Sequence, residues 1–172
     1  MSKIINELAK TLDKGVDRFC DNPVTISFSG GVDSALVAYL AAKKCKVQLT
    51  AVGTVGSHDI EAAKTAAKEM NLELEIIEME PEEMVKEGKL LAATVKMSEQ
   101  EIEFMLPFWI VAKGAKNKTL LCGQGADELF GGYQRFRRDP EKVNLKKEIQ
   151  DLLKRIPERE EAIVKEFELK LG

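Results

Sequence analysis

The run Val24-Thr25-Ile26-Ser27-Phe28 leads directly into Ser29-Gly30-Gly31, and a helical pattern starts at Asp33. A short β-branched run, two glycines and then a helix describe a strand joined to a helix by a turn that a Cβ would obstruct. The arrangement recurs late in the chain, where Thr119-Leu120-Leu121-Cys122 reads as a strand and runs into Gly123-Gln124-Gly125. Between them Val47–Val52 and Leu72–Met79 read as strands, with helices over Asp33–Lys44 and Asp59–Met70. Strands alternating with helices predict a parallel sheet of about four to five strands with helices on both faces. In such sheets ligands sit outside the carboxyl ends of the strands, where the strand order reverses. The two glycine-rich turns are therefore where chemistry is expected.

The remaining segments read as cover for that sheet. Ile4, Ile5, Leu8, Leu12, Val16 and Phe19 recur at helical spacing over Lys3–Phe19 and predict an amphipathic helix. Glu73, Glu75 and Glu78 place the third strand at a sheet edge. Pro81 opens a helix reaching about Val95, and Ser98-Glu99-Gln100-Glu101 is a capping box that starts another. Pro107 is expected to kink or restart that helix, and Phe104, Phe108 and Trp109 to lie in the core. Glu141–Leu171 reads as charged and helical, with Pro157 separating two helices.

No repeat, low-complexity stretch or linker divides the 172 residues, so one domain over 1–172 is expected. A formal charge of −3 provides no general attraction for nucleic acid or anionic lipid. No apolar run approaches the roughly 18 residues of a membrane span, and no signal sequence opens the chain, so a soluble cytoplasmic protein is expected. Cys20, Cys45 and Cys122 are far apart in sequence and form no Cys-x-x-Cys; with His58 as the single histidine, no zinc site is expected. The three read as ordinary reduced, buried cysteines. His58 reads as a capping or packing residue, and Arg135, Arg137 and Arg138 as a solvated basic face rather than phosphate ligands.

At Ser29-Gly30-Gly31-Val32-Asp33-Ser34, free backbone N–H groups and the positive end of a helix dipole converge into an anion site. Ser29 and Ser34 add hydroxyls. Asp33 repels a bare anion, so its presence implies a cation, Mg²⁺ bridging to phosphate. The loop lacks Gly-Lys-Ser/Thr and is not a Walker A loop. The second loop, Gly123-Gln124-Gly125-Ala126-Asp127-Glu128-Leu129-Phe130-Gly131-Gly132-Tyr133, spreads glycines around adjacent carboxylates. Such a loop costs stability unless its backbone must approach something closely.

Ser-Gly-Gly-Val-Asp-Ser is similar to the pyrophosphate loop of the N-type ATP pyrophosphatases. The eleven-residue second motif resembles a signature of the asparagine synthetase family's synthetase domain, a family that also includes β-lactam synthetases. Ala51-Val52-Gly53 and Gly56-Ser57-His58-Asp59-Ile60-Glu61 resemble that family's second strand and following helix, so the likeness runs from Val24 to Tyr133. The resemblance implies an adenine-nucleotide α-hydrolase-like, Rossmann-like fold and ATP-dependent activation of a small carboxylate. The carboxylate would attack the α-phosphate of ATP, and an amine would then displace AMP. Ser27, Ser29, Gly30, Gly31, Asp33 and Ser34 would bind phosphates, and Val52, Cys122 and Gly123 would line the adenosine. Asp33 and Asp127 would hold Mg²⁺, with Gln124, Asp127 and Glu128 at the reacting centre.

Three departures from the family pattern shape the expectation. The glutaminase domain of full synthetases begins with a cysteine after the initiator, whereas residue 2 is Ser2, so this chain is not expected to hydrolyse glutamine. Gln124 stands where asparagine synthetases usually carry Glu, and a neutral amide cannot act as a general base. The chain ends at Gly172, short of an Arg-x-Pro segment and a late lysine found in the family. An ammonia-supplying or complementing subunit, in a homodimer or heteromer, would meet that deficit. Two alternatives stay open: a nucleotide-binding subunit or inactive remnant that works with a partner, and a tRNA-modifying or sulfur-transfer pyrophosphatase.

Overall fold

The computed structural model describes residues 3–133 and 144–172. Its helices are α1 (Lys3–Asp17), α2 (Val32–Ala42), α3 (His58–Met70), α4 (Pro81–Thr94), α5 (Glu99–Gly114), α6 (Ala126–Phe130) and α7 (Leu145–Glu166). Its strands are β1 (Val24–Ser27), β2 (Val47–Thr54), β3 (Leu74–Met79), β4 (Thr119–Cys122) and β5 (Lys170–Leu171). They form one sheet in the order β3-β2-β1-β4-β5, parallel throughout. The chain moves outward from β1 through β2 to β3, then returns to lay β4 on the other side of β1. The order therefore reverses between β1 and β4, the two strands that end in glycine-rich turns.

Side-chain alternation along the strands divides the core into two layers. Val24, Ile26, Leu49, Ala51 and Leu121 pack with Ala38 and Ala41 of α2 and Ala63 and Ala67 of α3. On the opposite face Leu120 packs with Leu91 of α4, Met105, Phe108 and Trp109 of α5, and Ile163 and Val164 of α7. Leu120 and Leu121 are neighbours that point to opposite faces, as the strand period of two requires. Trp109 also meets Phe167 with ring centroids 4.7 Å apart.

β3 lies at the edge, as its glutamates predict, and Glu75 there is paired with Gln48 and with Lys116. The capping box at Ser98 forms: Glu101 N–H donates to Ser98 Oγ, and Ser98 N–H donates to Glu101 Oε2 at 2.9 Å.

Several expectations are corrected. The helix does not restart at Pro107, which lies inside the single helix Glu99–Gly114, because burial of the following turn outweighs the backbone hydrogen bond that proline removes. Residues 145–166 likewise form one helix, so Pro157 separates nothing. Lys170-Leu171 is a short edge strand beside β4 rather than helix. Phe104 is 57% exposed while Phe108 and Trp109 are buried, so only two of that aromatic trio are core. On α1, Val16 reaches the core but Ile4, Ile5 and Leu8 are exposed, so half of the apolar stripe faces outward. His58 is the exposed first residue of α3, with Ser57 at the N-cap position, so it neither caps nor packs. Arg135, Arg137 and Arg138 lie outside the described residues.

Candidate nucleotide-binding site

A turn wired by its own hydroxyls joins β1 to α2. Ser34 Oγ donates to Gly31 O at 3.1 Å and accepts from Ser29 N–H at 3.4 Å, while Gly31 N–H donates to Ser29 Oγ at 3.3 Å. Ser34 is buried and its one hydroxyl proton is committed to Gly31, so it shapes the loop; Ser29 Oγ, 3.2 Å from Ser34 Oγ, is then the donor of that pair. The N-cap of α2 is Gly31, and no side chain caps it. The first N–H groups of the helix therefore stay available to an anion.

Gly30 adopts φ +77°, and a Cβ there would come within 2.6 Å of the α3 backbone at Ala62 and Ala63. That glycine is required by packing against α3, and it is the one predicted site residue that does not line the cleft. Gly123 does for the two loops what Gly30 does for the helix: a Cβ on it would meet Ser34 N at 2.6 Å and the Asp33 carbonyl carbon at 2.9 Å. The loops that sequence reading singled out are thus in backbone contact. The second glycine pair has separate reasons: Gly131 ends α6 in the left-handed region, and Gly132 lies against the Asp127 carboxylate.

Between the loops opens a cleft of about 330 Å³, the size range of small-molecule sites. Ser27, Ser29, Gly31, Asp33, Ser34, Val52, Cys122, Gly123, Gln124, Asp127 and Glu128 all line it, which is every predicted site residue except Gly30. Sequence reading missed the far wall, made by Phe104, Pro107, Phe108 and Val111 of α5, and the carboxylate of Asp59. Asp59 was legible only as a helix start; no spacing rule ties the first turn of α3 to the ends of β1 and β4.

The donor set fits a phosphate-bound Mg²⁺. Asp33 and Asp127 are exposed carboxylates on one cleft, and no cluster of three metal-ligating side chains exists among the described residues. Mg²⁺ is commonly held by one or two carboxylates together with substrate phosphates and water, not by a protein cage.

The floor of the cleft is acidic. Glu128 is 5% exposed and accepts a hydrogen bond from the Tyr133 hydroxyl. Burial pushes the Cys122 thiol up to about 11, against an opposing hydrogen bond from the Gln124 backbone and with reinforcement from Glu160. That thiol is protonated and unreactive. Glu160, on α7, is 1% exposed, and among the described residues no other residue hydrogen-bonds either carboxylate oxygen. Burial first, and much more weakly the negative charge of Glu128, raise its pKa; its own backbone N–H and the Arg159 guanidinium act in the opposite direction.

An unpaired buried acid costs stability whenever it ionises. A folded pKa above the unfolded one means that Glu160's contribution is fully present below the unfolded value, near ~4.3, and is lost as pH rises through the folded value. Glu160→Gln should therefore stabilise the chain by about 1–3 kcal/mol at pH 8, with the gain shrinking toward pH 4. Urea unfolding at both pH values checks it, and a variant less stable than wild type at pH 8 would contradict it.

The asparagine synthase family model matches residues 7–169. The chain belongs to the asparagine synthase family. It is a family of ATP-dependent amide-forming synthetases of ligase type. The chain is similar to a Methanocaldococcus jannaschii protein named as a candidate glutamine-hydrolysing asparagine synthetase, at 41% identity over 145 residues, covering 79% of this chain and 26% of that one. It is similar also to glutamine-hydrolysing asparagine synthetase 2 of Oryza sativa, at 30% identity, covering 74% of this chain and 24% of the other. The chain thus spans about a quarter of the length of these family relatives. Among solved structures, NMN synthetase from Francisella tularensis superposes with a TM-score of 0.50 at 19% identity, covering 76% of this chain and 59% of that one. The fold is of the adenine-nucleotide α-hydrolase type. No helix among the described residues is long and apolar enough to cross a membrane.

Proposed function

We propose that this family member binds Mg-ATP in the cleft and adenylates a small carboxylate for attack by ammonia or another amine. The observation that carries the reading is the backbone contact between the Ser29–Ser34 loop and Gly123. It unites an uncapped helix N-terminus, the exposed Ser29 and two carboxylates in one cleft.

Each residue then has a physical task. The α2 N–H groups and Ser29 hold the terminal phosphates, and Ser34 keeps the loop open for them. Mg²⁺, held by Asp33 and Asp127, would supply charge neutralisation to the phosphates when bound. Val52, Cys122 and Gly123 border the nucleoside. A substrate carboxylate oxygen held in line with the α-phosphorus would form a P–O bond as pyrophosphate departs. The amine nitrogen then bonds to the carbonyl carbon, AMP leaves with the P–O bond intact, and the amine gives up a proton. Backbone donors at the switch point stabilise the charge that develops on departing phosphate.

Ammonia arrives free or from a complementing subunit in a homodimer or heteromer. The apolar side chains left exposed on α1 and α2, among them Ile4, Val32 and Tyr39, are the kind of surface that a partner covers.

Exchange of labelled pyrophosphate into ATP, screened over a panel of small carboxylates, tests adenylation. Carboxylate-dependent exchange is expected, and ATP binding without exchange for any acid would leave a nucleotide-binding subunit. Gln124 makes a sharper prediction. Its amide cannot take a proton from the attacking amine, so aspartate, ATP and ammonia should produce no asparagine. Chromatographic detection of asparagine at ordinary turnover would overturn the inference from Gln124.

A further inference from the structure

At the far end of the sheet from the cleft, two cysteines that are distant in sequence come together. Cys20 follows the last turn of α1, its N–H donating to Asp17 O at 3.2 Å, and Cys45 follows α2, its N–H donating to Ala41 O at 3.0 Å. Each leads into one of two adjacent parallel strands, where Val24 pairs with Val47 and Val24 N–H donates to Lys46 O at 3.0 Å. Lys44 clamps the same corner, with Nζ 3.1 Å from Asp13 and 3.4 Å from Asp17 of α1. Both side chains pack partly buried against the same apolar layer, near enough for Cys45 to act on the Cys20 thiol. Burial, with neighbouring Cys45 adding to it, pushes the Cys20 thiol up to about 12.

We infer that Cys20 and Cys45 form a dithiol–disulfide couple that staples the end of α1 to the turn entering β2, with a low-molecular-weight disulfide as oxidant. One protein thiolate attacks a sulfur of the small disulfide, forming a mixed disulfide and releasing one small thiol, which takes up the proton. The second protein thiol loses its proton and attacks the protein sulfur of that mixed disulfide, releasing the second small thiol. The protein gives up two electrons and two protons, and the small disulfide gains them. In the structure all three cysteines are free thiols of intermediate exposure.

The bond would close a loop holding β1, the Ser29–Ser34 turn and α2. A cross-link over such a loop restricts the unfolded chain and should raise Tm by roughly 5–10 °C. Neither cysteine touches the cleft, so Mg-ATP affinity should be unchanged by oxidation.

The test equilibrates the whole chain with mixtures of oxidised and reduced glutathione, followed by acid quench, alkylation, intact mass and peptide mapping. Expected is loss of two hydrogens, a Cys20–Cys45 cross-linked peptide and one alkylated thiol at Cys122, with the predicted rise in Tm. Cys20→Ser and Cys45→Ser should each stop at a glutathione adduct and show no rise. Three alkylated thiols across every mixture, or a bridge that recruits Cys122 or a second chain, would overturn the proposal. Should the serine variants not fold, the wild-type peptide map decides alone.

Discussion

Replacing Asp33 or Asp127 by asparagine should weaken Mg-ATP binding by ~10- to 100-fold without disturbing the fold. Both carboxylates are exposed, sit in the first turns of α2 and α6, and border one cleft. Exposed sites away from packing change stability by only about 0.5 kcal/mol, so chemical denaturation should superpose with wild type. The amide keeps the shape and removes the charge that a bridging cation needs. In the absence of Mg²⁺ the sign reverses: ATP alone should bind each variant more tightly than wild type, because a negative charge beside the phosphates has gone. Calorimetry with and without chelator reads both effects. Equal Mg-ATP affinity in both variants would remove the metal role.

The second large effect belongs to the glycines, which should separate by cause. Gly30→Ala meets two penalties together, a left-handed backbone and a carbonyl and amide of α3 at 2.6–2.7 Å. We expect a loss of about 3 kcal/mol or more in stability. Gly123→Ala has no positive φ to violate, but its Cβ would push Ser34 N and Asp33 away from β4. That change should cost about 1–3 kcal/mol and also spread the cleft, so binding of Mg-ATP falls even in the folded fraction. Gly56 has φ +73° and open space around it, so its alanine variant should lose only about 1 kcal/mol and keep its affinity. Urea unfolding paired with calorimetry distinguishes the three.

Much of this architecture was legible because local and tertiary signals agree. The β-branched runs of β1 and β2, the capping box of α5 and the glutamates of β3 each carry their own pattern. The two glycine-rich turns follow the strands that flank the switch point. What sequence reading missed depends on contacts between distant segments. β5 is only Lys170-Leu171, too short to show a period, and exists because β4 offers an edge. Pro107 and Pro157 signal a break by local rules, yet each lies within a single helix. Phe104 looks like core by composition, yet it lies on the cleft side of α5. The unpaired acid at Glu160 and the approach of Cys20 to Cys45 arise from three-dimensional proximity alone, as does the role of Gly30, which serves α3 rather than the cleft.

Amide hydrogen exchange of the whole chain, with and without Mg-ATP, tests the central claim most directly, because it reports where the nucleotide sits. The account predicts slowed exchange at residues 29–35 and 123–128, weaker protection at the end of β2 around Val52, and none along α1. Protection absent from both glycine-rich turns, at nucleotide concentrations that saturate binding, would contradict it.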